Sequence, residues 1–282
     1  MMRKREVSLM FALGWFSTGR DKAARDLLRV VWDRIQEGFI PARIIYVFLS
    51  REPGENPESD KFLALCKELK LPVFTLSAQR FEPELRAEDR EAWRKKYHEA
   101  VYKLLKDKPT DLIILAGYMW VVSAELCEKL PMINLHPALP GGPQGTWQEV
   151  IWKLLEQEAD ETGVMMHLVT PELDRGPAVT FCRFSIKGDK FDPLWEKFLT
   201  KKRKLGIEKI KETEGEEEPL FKLIRQEGVK REFPLIVYTI KAFAEKEVRL
   251  KNRILCDAKG HPLSEPFDLT ERVEKHLQTG EW

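Results

Sequence analysis

Runs of apolar residues alternate with amphipathic stretches along the first half of the chain. The apolar runs are rich in Ile, Leu and Val, and they predict strands over 7–14, 42–50, 72–76, 111–118 and 132–136. Between them, apolar positions at helical spacing predict helices over 21–38, 59–70, 84–106 and 123–130. Strands and helices that alternate in this way indicate an α/β fold, with a mostly parallel twisted sheet and helices on both of its faces.

The second half continues this alternation before its composition changes. The pattern predicts a helix over 146–158 and strands over 163–170 and 178–186. Residues 187–219 run from basic to acidic, which predicts an exposed charged insertion. Helical periodicity returns over 220–248, and the tail predicts a closing hairpin. We therefore expect an α/β core over 1–186, the insertion over 187–219, and a closing helix with a C-terminal tail packing on the core over 220–282.

Composition narrows the class of protein without identifying it. The 282 residues are 43% hydrophobic and 33% charged, and the formal net charge is +1. These values are ordinary for a globular protein and give no reason to expect binding to nucleic acid or to a membrane. The four cysteines form no CxxC pair, and we find neither a secretory signal nor an apolar run of about 20 residues. We therefore expect a cytoplasmic protein with reduced thiols.

The stretch INLHPALPGGPQG, residues 133–145, holds the first candidate site residues. Asn134 and His136 stand two apart at the end of a predicted strand, so their side chains share a face about 6.6 Å apart. Ligands of parallel sheets bind at this edge. An amide can stabilise a developing oxyanion, and an imidazole can transfer a proton near neutral pH. Taken alone, such a pair more often satisfies the backbone of a turn.

Two further stretches offer chemistry, each beside an ordinary structural explanation. Asp174, in PELDRGP, could hold the His136 ring and raise its pKa, although an Asp before Arg-Gly-Pro is more often a turn residue. Residues 17–20 read Ser-Thr-Gly-Arg between the first strand and the first helix. Hydroxyls, a flexible backbone and a cation at a helix N-terminus suit a phosphate, while a helix cap with Asp21 explains the same pattern.

Three stretches in a fixed order carry a resemblance to a known family: DLIILAGYMWVVS, INLHPALPGGPQG and GVMMHLVTPELDRGP. With the strand and helix pattern they resemble the folate-dependent formyltransferases over roughly residues 7–186, and more weakly over 229–250. The resemblance implies a Rossmann-like fold and transfer of a formyl group from the co-substrate 10-formyltetrahydrofolate to the amine of a phosphorylated small molecule. Glycinamide ribonucleotide, an intermediate of purine biosynthesis, is the leading acceptor.

The resemblance also implies a role for individual residues. Asn134, His136 and Asp174 fall on the catalytic positions: Asn134 and protonated His136 would stabilise the tetrahedral oxyanion, His136 would relay a proton, and Asp174 would tune His136 and organise a water. The residues implied to bind the formyl-folate, besides Asn134 and Asp174, are Arg90, Tyr118, Met119, Trp120, Val121, Val122 and Leu173. Those implied to bind the acceptor are Ser17, Thr18, Gly19, Arg20, Gly117 and His167. No metal is implied, the expected partners are small molecules, and a homodimer is left open.

Departures from the family pattern touch the loop and the acceptor side. The turn after the His-Pro pair is shortened to Ala138-Leu139-Pro140, and Trp120 stands where an Arg is usual. The family's acceptor-binding Glu is lost from its position, with Glu227 and Glu232 the nearest substitutes.

Several alternatives therefore stay open at this point. They are hydrolysis of 10-formyltetrahydrofolate, N-formylation of another amine such as an amino-sugar nucleotide, and a folate-binding regulatory protein without activity. A metal hydrolase built on His136, His167 and Asp174 is disfavoured, because the sequence lacks the helical HExxH spacing.

Overall fold

The computed structural model describes residues 10–282 of the chain. The predicted start of the first strand, at 7–9, lies outside the described residues. The chain forms two compact units: the first comprises the residues up to 134 together with 167–176 and 239–265, and the second comprises 135–166, 177–238 and 266–282. The three-part organisation that composition predicts stays a prediction.

A parallel sheet is the frame of the first unit. Its neighbouring strands, in the order β5-β4-β1-β2-β3, pair in parallel throughout. The strands are β1 (Phe11–Ser17), β2 (Ala42–Leu49), β3 (Val73–Thr75), β4 (Leu112–Leu115) and β5 (Met132–His136), the last two residues of β5 belonging to the second unit. The strand order reverses between β1 and β4, which is the place where such sheets bind ligands. The predicted mostly parallel α/β sheet is confirmed.

Helices cover both faces of this sheet because successive strand residues are buried on opposite sides. Phe16 and Phe48 belong to one buried cluster with Tyr97 of the fourth helix. Trp15 and Val47 alternate with them along the strands and are also fully buried, which requires cover on the second face. The helices of this unit are α1 (Lys22–Gln36), α2 (Pro57–Glu68), α3 (Pro83–Glu88), α4 (Arg90–Leu105) and α5 (Ala124–Lys129).

The single helix predicted over 84–106 is wrong, because the chain breaks between α3 and α4. Asp89 has extended backbone dihedrals, and its carboxylate accepts hydrogen bonds from the backbone N–H groups of Glu91 and Ala92, both at 3.0 Å. Asp is among the strongest N-cap residues, so a new helix starts after it. The apolar spacing of α4 extends upstream far enough to hide this break in the sequence.

The hairpin predicted in the tail is confirmed. Strands β8 (Val248–Lys251) and β9 (Ile254–Asp257) pair antiparallel. Asn252 and Arg253 join them with φ of 51° and 64°, as a type I′ turn requires. The Arg253 guanidinium donates to the backbone carbonyls of Cys127 and Val169, the latter at 2.8 Å, and so ties the hairpin to the first unit.

The second unit combines helices with the remaining strands. Strand β7 lies between β6 and β10, and β10 pairs with it in parallel. The elements are α6 (Trp147–Glu156), β6 (Glu161–Leu168), β7 (Ala178–Ser185), α7 (Asp192–Leu205), α8 (Ile207–Thr213), a 3₁₀ turn (Gly215–Glu217), α9 (Pro219–Ala244), β10 (Phe267–Asp268) and α10 (Thr270–Thr279). The last residues of β6 and α9 belong to the first unit.

Residues 187–219 differ from the exposed segment that their charge pattern predicts. They form α7, α8 and the 3₁₀ turn, and Trp195, Phe198 and Ile210 are buried there with Phe221 of α9. The charged residues lie on the outer sides of these short helices, so the density of charge conceals an apolar stripe. Helix α10 was also missed, because Val273 is its only buried residue. Within residues 10–282, no helix is both long and apolar enough to cross a membrane.

Candidate active site

Three of the predicted site residues lie next to one another in the first unit. Asn134 of β5 pairs with Leu115 of β4, His167 lies near the end of β6, and Asp174 lies in the turn that follows. Nδ2 of Asn134 is 3.2 Å from Nε2 of His167, and this nitrogen is 3.6 Å from Oδ1 of Asp174. The side chains of His167 and Asp174 are only 4% and 10% exposed. An amide, an imidazole and a carboxylate thus share one largely buried position.

The hydrogen bonds of His167 define which of its nitrogens carries the proton. Nδ1 lies 3.2 Å from the carbonyl oxygen of Leu168, and a carbonyl oxygen can only accept. Nδ1 is therefore protonated, and Nε2 of the neutral ring accepts from the Asn134 amide. That amide nitrogen carries a second N–H, which can be donated to an oxygen of a ligand.

The turn that carries Asp174 is held by a close backbone contact. Asp174 has φ of 54°, a left-handed conformation that Asp tolerates better than most residues. Two residues later, a Cβ atom on Gly176 would lie 1.6 Å from the carbonyl oxygen of Leu168. Only glycine fits there, so Gly176 fixes where the turn meets the end of β6.

One pocket of the first unit brings this trio together with most of the predicted folate-binding residues. Its walls are largely apolar, with the trio among a few polar groups, which is the usual composition of a small-molecule site. Besides Asn134, His167 and Asp174, the pocket is lined by Leu115, Tyr118, Trp120, Val121, Val122, Val169, Thr170, Glu172 and Leu173.

The segment from Tyr118 to Ser123, which we call the 118–123 loop, is fixed at both ends by His98 of α4. Nε2 of His98 is 3.1 Å from the Tyr118 hydroxyl. Nδ1 lies 2.9 Å from the carbonyl of Arg94 and 3.2 Å from the Ser123 backbone nitrogen. A carbonyl oxygen can only accept, so the shorter contact puts the proton on Nδ1, and Nε2 accepts from the Tyr118 hydroxyl.

His98 is neutral in this position. Only 1% of it is exposed, and burial lowers its pKa to about 4. From the other side of the loop, Oγ1 of Thr18 accepts a hydrogen bond from the Met119 backbone N–H at 3.0 Å. The Thr18 N–H donates to the carbonyl of Gly117, also at 3.0 Å. Thr18, which follows β1, and His98 of α4 are both buried, and together they hold the loop that forms one wall of the pocket.

His136 belongs to the second unit, two residues beyond Asn134 in β5. It is 3% exposed, and its Nε2 donates to the carbonyl oxygen of Pro143 at 3.1 Å. A carbonyl oxygen can only accept, so Nε2 carries a proton. The shortened Pro- and Gly-rich turn thus holds this side of the imidazole ring.

The residues predicted to bind a phosphate make mainly internal contacts. The Ser17 hydroxyl accepts from the Gly19 backbone N–H at 3.0 Å, and the Thr18 hydroxyl lies 3.0 Å from that of Ser50. Arg20 is about half exposed and 3.3 Å from Asp21, whose carboxylate caps α1. Arg20 is thus the cation of this group that faces solvent, and phosphate binding stays a prediction.

Arg90 and Met119, also predicted to bind folate, line a neighbouring groove rather than the pocket itself. The groove shares Trp120 and Val121 with the pocket, so the two adjoin each other. Arg90 is the first residue of α4, and Met119 is 51% exposed. Their position suits contact with the outer part of a ligand whose inner part fills the pocket.

The two candidate substitutes for the family's acceptor-binding Glu differ in their surroundings, both in the second unit. Burial raises the pKa of Glu227, but Lys230, Lys190 and Arg231, at 2.7, 2.9 and 3.1 Å, outweigh it and hold that pKa at about 2. Glu232 accepts one hydrogen bond from Arg225 at 2.6 Å. Three cations already occupy the oxygens of Glu227, so Glu232 is the more available carboxylate.

Some residues of the site are not evident from the sequence. The sequence analysis did not identify His98, Thr170 or Glu172 as site residues. Only His98 could have been noticed in the sequence, because it is a polar residue between Tyr97 and Val101, which are buried positions of α4. In the part of the chain that the structure describes, no group of three or more His, Cys, Asp or Glu side chains could hold a metal ion.

A parallel sheet that brings an amide, an imidazole and a carboxylate to one apolar pocket defines an α/β protein with a small-molecule site beyond the ends of its strands. A sequence profile of the formyl transferase family matches residues 56–207, more than half of the chain. The chain belongs to the formyl transferase family, as its three motifs indicate.

Similar proteins agree with this assignment. The phosphoribosylglycinamide formyltransferase of Saccharomyces cerevisiae is 31% identical over 100 residues, 33% of this chain and 47% of that relative. The protein of the same name from Dictyostelium discoideum is 26% identical over 195 residues, 65% of this chain and 90% of that relative. The match thus spans about half the length of the yeast protein and most of the Dictyostelium protein.

A solved structure with a similar fold carries the same name as these relatives. The phosphoribosylglycinamide formyltransferase structure from Coxiella burnetii superimposes with a TM-score of 0.65 over 92% of this chain and 98% of that chain, at 18% identity. The predicted formyltransferase fold is confirmed.

Proposed function

We propose that this protein transfers the formyl group of 10-formyltetrahydrofolate to the amine of glycinamide ribonucleotide, a step of purine biosynthesis. The observation that carries the proposal is the apolar pocket with Asn134, His167 and Asp174 at one end. Membership of the formyl transferase family supports the formyl-folate, and the names of the yeast and Dictyostelium relatives support the acceptor.

In the proposed reaction, the lone pair of the amine attacks the formyl carbon. A C–N bond forms, and the electron pair of the C=O bond moves to the oxygen. Asn134 donates its second amide N–H to this oxyanion, and protonated His136 is the second donor. Hydrogen-bond donors that are already in place lower the activation barrier of the reaction, because the oxygen gains its negative charge in the transition state.

The tetrahedral intermediate then collapses. The bond between the formyl carbon and N10 of the folate breaks, and the proton lost by the attacking amine reaches N10 through His136. The products are the formylated amine and tetrahydrofolate. In this scheme Asp174 holds a water and favours the protonated form of His136, and His167 keeps the amide nitrogen of Asn134 in place.

The pocket suits the flat ring of a pterin. Leu115, Val122 and Val169 offer apolar walls, and the 118–123 loop offers backbone groups for the ring's polar edge. The enclosed volume is about 50 Å³, room for about one or two waters. A bicyclic ring is larger than this volume, so on this proposal its binding widens the space between the walls.

The acceptor's phosphate is proposed to bind near Arg20, with backbone groups of Gly19 and Gly117. Both glycines have positive φ, at 62° and 70°. The Gly19 N–H already donates to Ser17, so the N–H of Gly117 is the one proposed to approach an anion. A cytoplasmic location, small molecules as the only partners and a homodimer remain predictions.

An acceptor screen tests the proposal. The purified protein is incubated with 10-formyltetrahydrofolate and with glycinamide ribonucleotide, an amino-sugar nucleotide or no amine, while the release of tetrahydrofolate is followed. We expect release that depends on glycinamide ribonucleotide and disappears in the Asn134→Ala variant. Release without an amine, accompanied by formate, would indicate a hydrolase, and release with the amino-sugar nucleotide alone would reassign the acceptor.

A further inference from the structure

Ser50 and Arg51, directly after β2, contact the loop that follows β1. The Ser50 hydroxyl lies 3.0 Å from that of Thr18. The Arg51 guanidinium donates to the Ser59 hydroxyl at 3.1 Å, and this hydroxyl donates to the Thr18 carbonyl at 3.3 Å. The resemblance to the family implies a role in acceptor binding for Thr18 but not for Ser50 or Arg51. The end of a second strand thus adjoins the predicted phosphate-binding loop.

Arg51 is a cation without a counter-charge in the part of the chain that the structure describes. Its guanidinium has no carboxylate within 4.0 Å there, and the bond to Ser59 is its one hydrogen bond to these residues. The carboxylates that follow it are already neutralised, because Glu52 and Glu55 pair with Arg80 at 3.4 and 3.1 Å. A guanidinium group has five N–H donors, so most of those of Arg51 remain for a ligand.

The buried hydroxyl groups of this region also keep protons that no side chain accepts. The hydroxyls of Thr18 and Ser50 share one proton in their mutual hydrogen bond, and the Thr18 oxygen also accepts from the Met119 N–H. Their second proton has no acceptor among residues 10–282, and neither has the proton of the Ser17 hydroxyl. Ser17, Thr18 and Ser50 are at most 4% exposed. A buried donor without an acceptor costs free energy, and an oxygen of a ligand removes this cost.

Donors that lack acceptors define the chemistry of the group that binds here. A guanidinium and neutral hydroxyls select an anion that accepts several hydrogen bonds. A phosphate ester has three such oxygens and a charge of about −1.5 to −2 near pH 7, whereas a carboxylate has two oxygens and a single charge. Arg51 can bind two phosphate oxygens through parallel hydrogen bonds, and the third oxygen remains for a hydroxyl. The donor set therefore fits a phosphate ester better than a carboxylate.

We propose that Arg51 binds the phosphate of the acceptor and so selects phosphorylated amines over their unphosphorylated counterparts. The Thr18–Ser50 pair supplies one hydroxyl donor to the same phosphate. This inference rests on the proposed function and adds to it a specificity-determining residue from a second strand end. Arg51 takes no part in the chemistry of formyl transfer.

Binding of two amines tests the inference. The dissociation constants of glycinamide ribonucleotide and of its ribonucleoside, which lacks the phosphate, are measured by NMR titration. We expect the unaltered protein to bind the ribonucleotide about 100-fold more tightly, the effect of two hydrogen bonds to a charged group. Arg51→Gln should reduce this ratio about tenfold, and Ser50→Ala about threefold. Arg51→Lys keeps the charge but loses the paired hydrogen bonds, so its ratio should lie between those of Arg51→Gln and the unaltered protein.

Lys61→Gln is the matched control for the loss of one positive charge. Lys61 lies in α2, is exposed and pairs with Glu58 at 2.6 Å. Its replacement removes the same charge as Arg51→Gln without removing a donor beside Thr18, so the full ratio should be kept. Circular dichroism spectra check that each variant is folded, and Arg51→Lys provides the comparison if Arg51→Gln is not.

The outcomes separate this inference from the proposed function. If glycinamide ribonucleotide accepts the formyl group but the Arg51 variants bind it as tightly as the unaltered protein, the role of Arg51 is overturned and the proposed function stands. A ratio that Arg51→Gln and Lys61→Gln lower equally also overturns it, since the effect is then one of net charge. If the unaltered protein binds neither amine, both proposals are wrong.

Discussion

The amide nitrogen of Asn134 lies 3.2 Å from Nε2 of His167, and this contact fixes which way the amide faces. Because Nδ1 of His167 donates to a carbonyl, Nε2 can only accept in the neutral ring. The oxygen of Asn134 cannot take that place without losing the hydrogen bond. The histidine therefore keeps an N–H donor, rather than an acceptor, at the end of the pocket.

Replacing Asn134 should remove this donor and leave the fold intact. We expect the Asn134→Ala variant to lower kcat/KM about 10²–10³-fold, the usual effect of losing one oxyanion donor. Asn134→Asp should be at least as inactive, because a carboxylate cannot donate. Steady-state kinetics with matched circular dichroism spectra check this. Activity within threefold of the unaltered protein would rule out Asn134 as an oxyanion donor.

His98 should act on folate binding through the 118–123 loop. The His98→Ala variant loses the contacts at both ends of the loop, and we expect the dissociation constant of tetrahydrofolate to rise about tenfold, the size of one or two lost hydrogen bonds. His98→Gln should recover part of this. Leu105→Ala, also in α4 and buried, is the control for lost stability alone: its melting temperature should fall while its affinity is retained. Equal affinity in His98→Ala and the unaltered protein would contradict the positioning role.

His98 should also make the protein less stable in mild acid. Its folded pKa of about 4 lies below the usual value of about 6.5, so the unfolded chain binds the extra proton first. Stability is therefore fully present above pH 6.5 and is lost as the pH falls towards 4. Between pH 7.5 and pH 5, His98 should cost roughly 2 kcal/mol of unfolding free energy. Urea denaturation at both pH values should show a smaller difference for His98→Gln; an equal difference would assign the acid sensitivity to other groups.

Two glycines should respond in opposite ways to the same substitution. At Gly176 a methyl group would overlap the Leu168 carbonyl, so Gly176→Ala should displace the Asp174 turn, lower kcat/KM at least tenfold and destabilise the fold by several kcal/mol. Gly228, in α9, has no atom within 4 Å of an added Cβ. Gly228→Ala should raise the unfolding free energy by about 1 kcal/mol and leave activity unchanged. Kinetics and urea denaturation check both; a Gly176→Ala variant with normal activity would show that the turn is not critical.

The sequence predicted those parts of the fold that local patterns determine. Strand β5 has the predicted bounds, because MINLH is an apolar run between turn residues. The break at Asp89 was hidden, since apolar spacing continues across it and only the cap bonds reveal it. In 187–219 charged residues outnumber the few buried ones, so the buried stripe of Trp195, Phe198 and Ile210 was not visible.

The site shows a similar limit. The motifs identified Asn134 and Asp174, but the contact between Asn134 and His167 joins residues 33 positions apart. Strand β6 is buried at seven consecutive positions, so its pattern cannot say which face His167 takes.

Single-turnover transfer of a ¹³C-labelled formyl group tests whether this protein moves the formyl group from the folate to the amine. Excess protein is mixed with labelled 10-formyltetrahydrofolate and glycinamide ribonucleotide, and the products are followed by mass spectrometry. We predict that the label appears on the amine of the ribonucleotide, one formyl group per tetrahydrofolate released, and that Asn134→Ala slows this step about 10²–10³-fold. Label that appears only as formate, or a transfer rate unaffected in Asn134→Ala, would contradict the proposed formyl transfer.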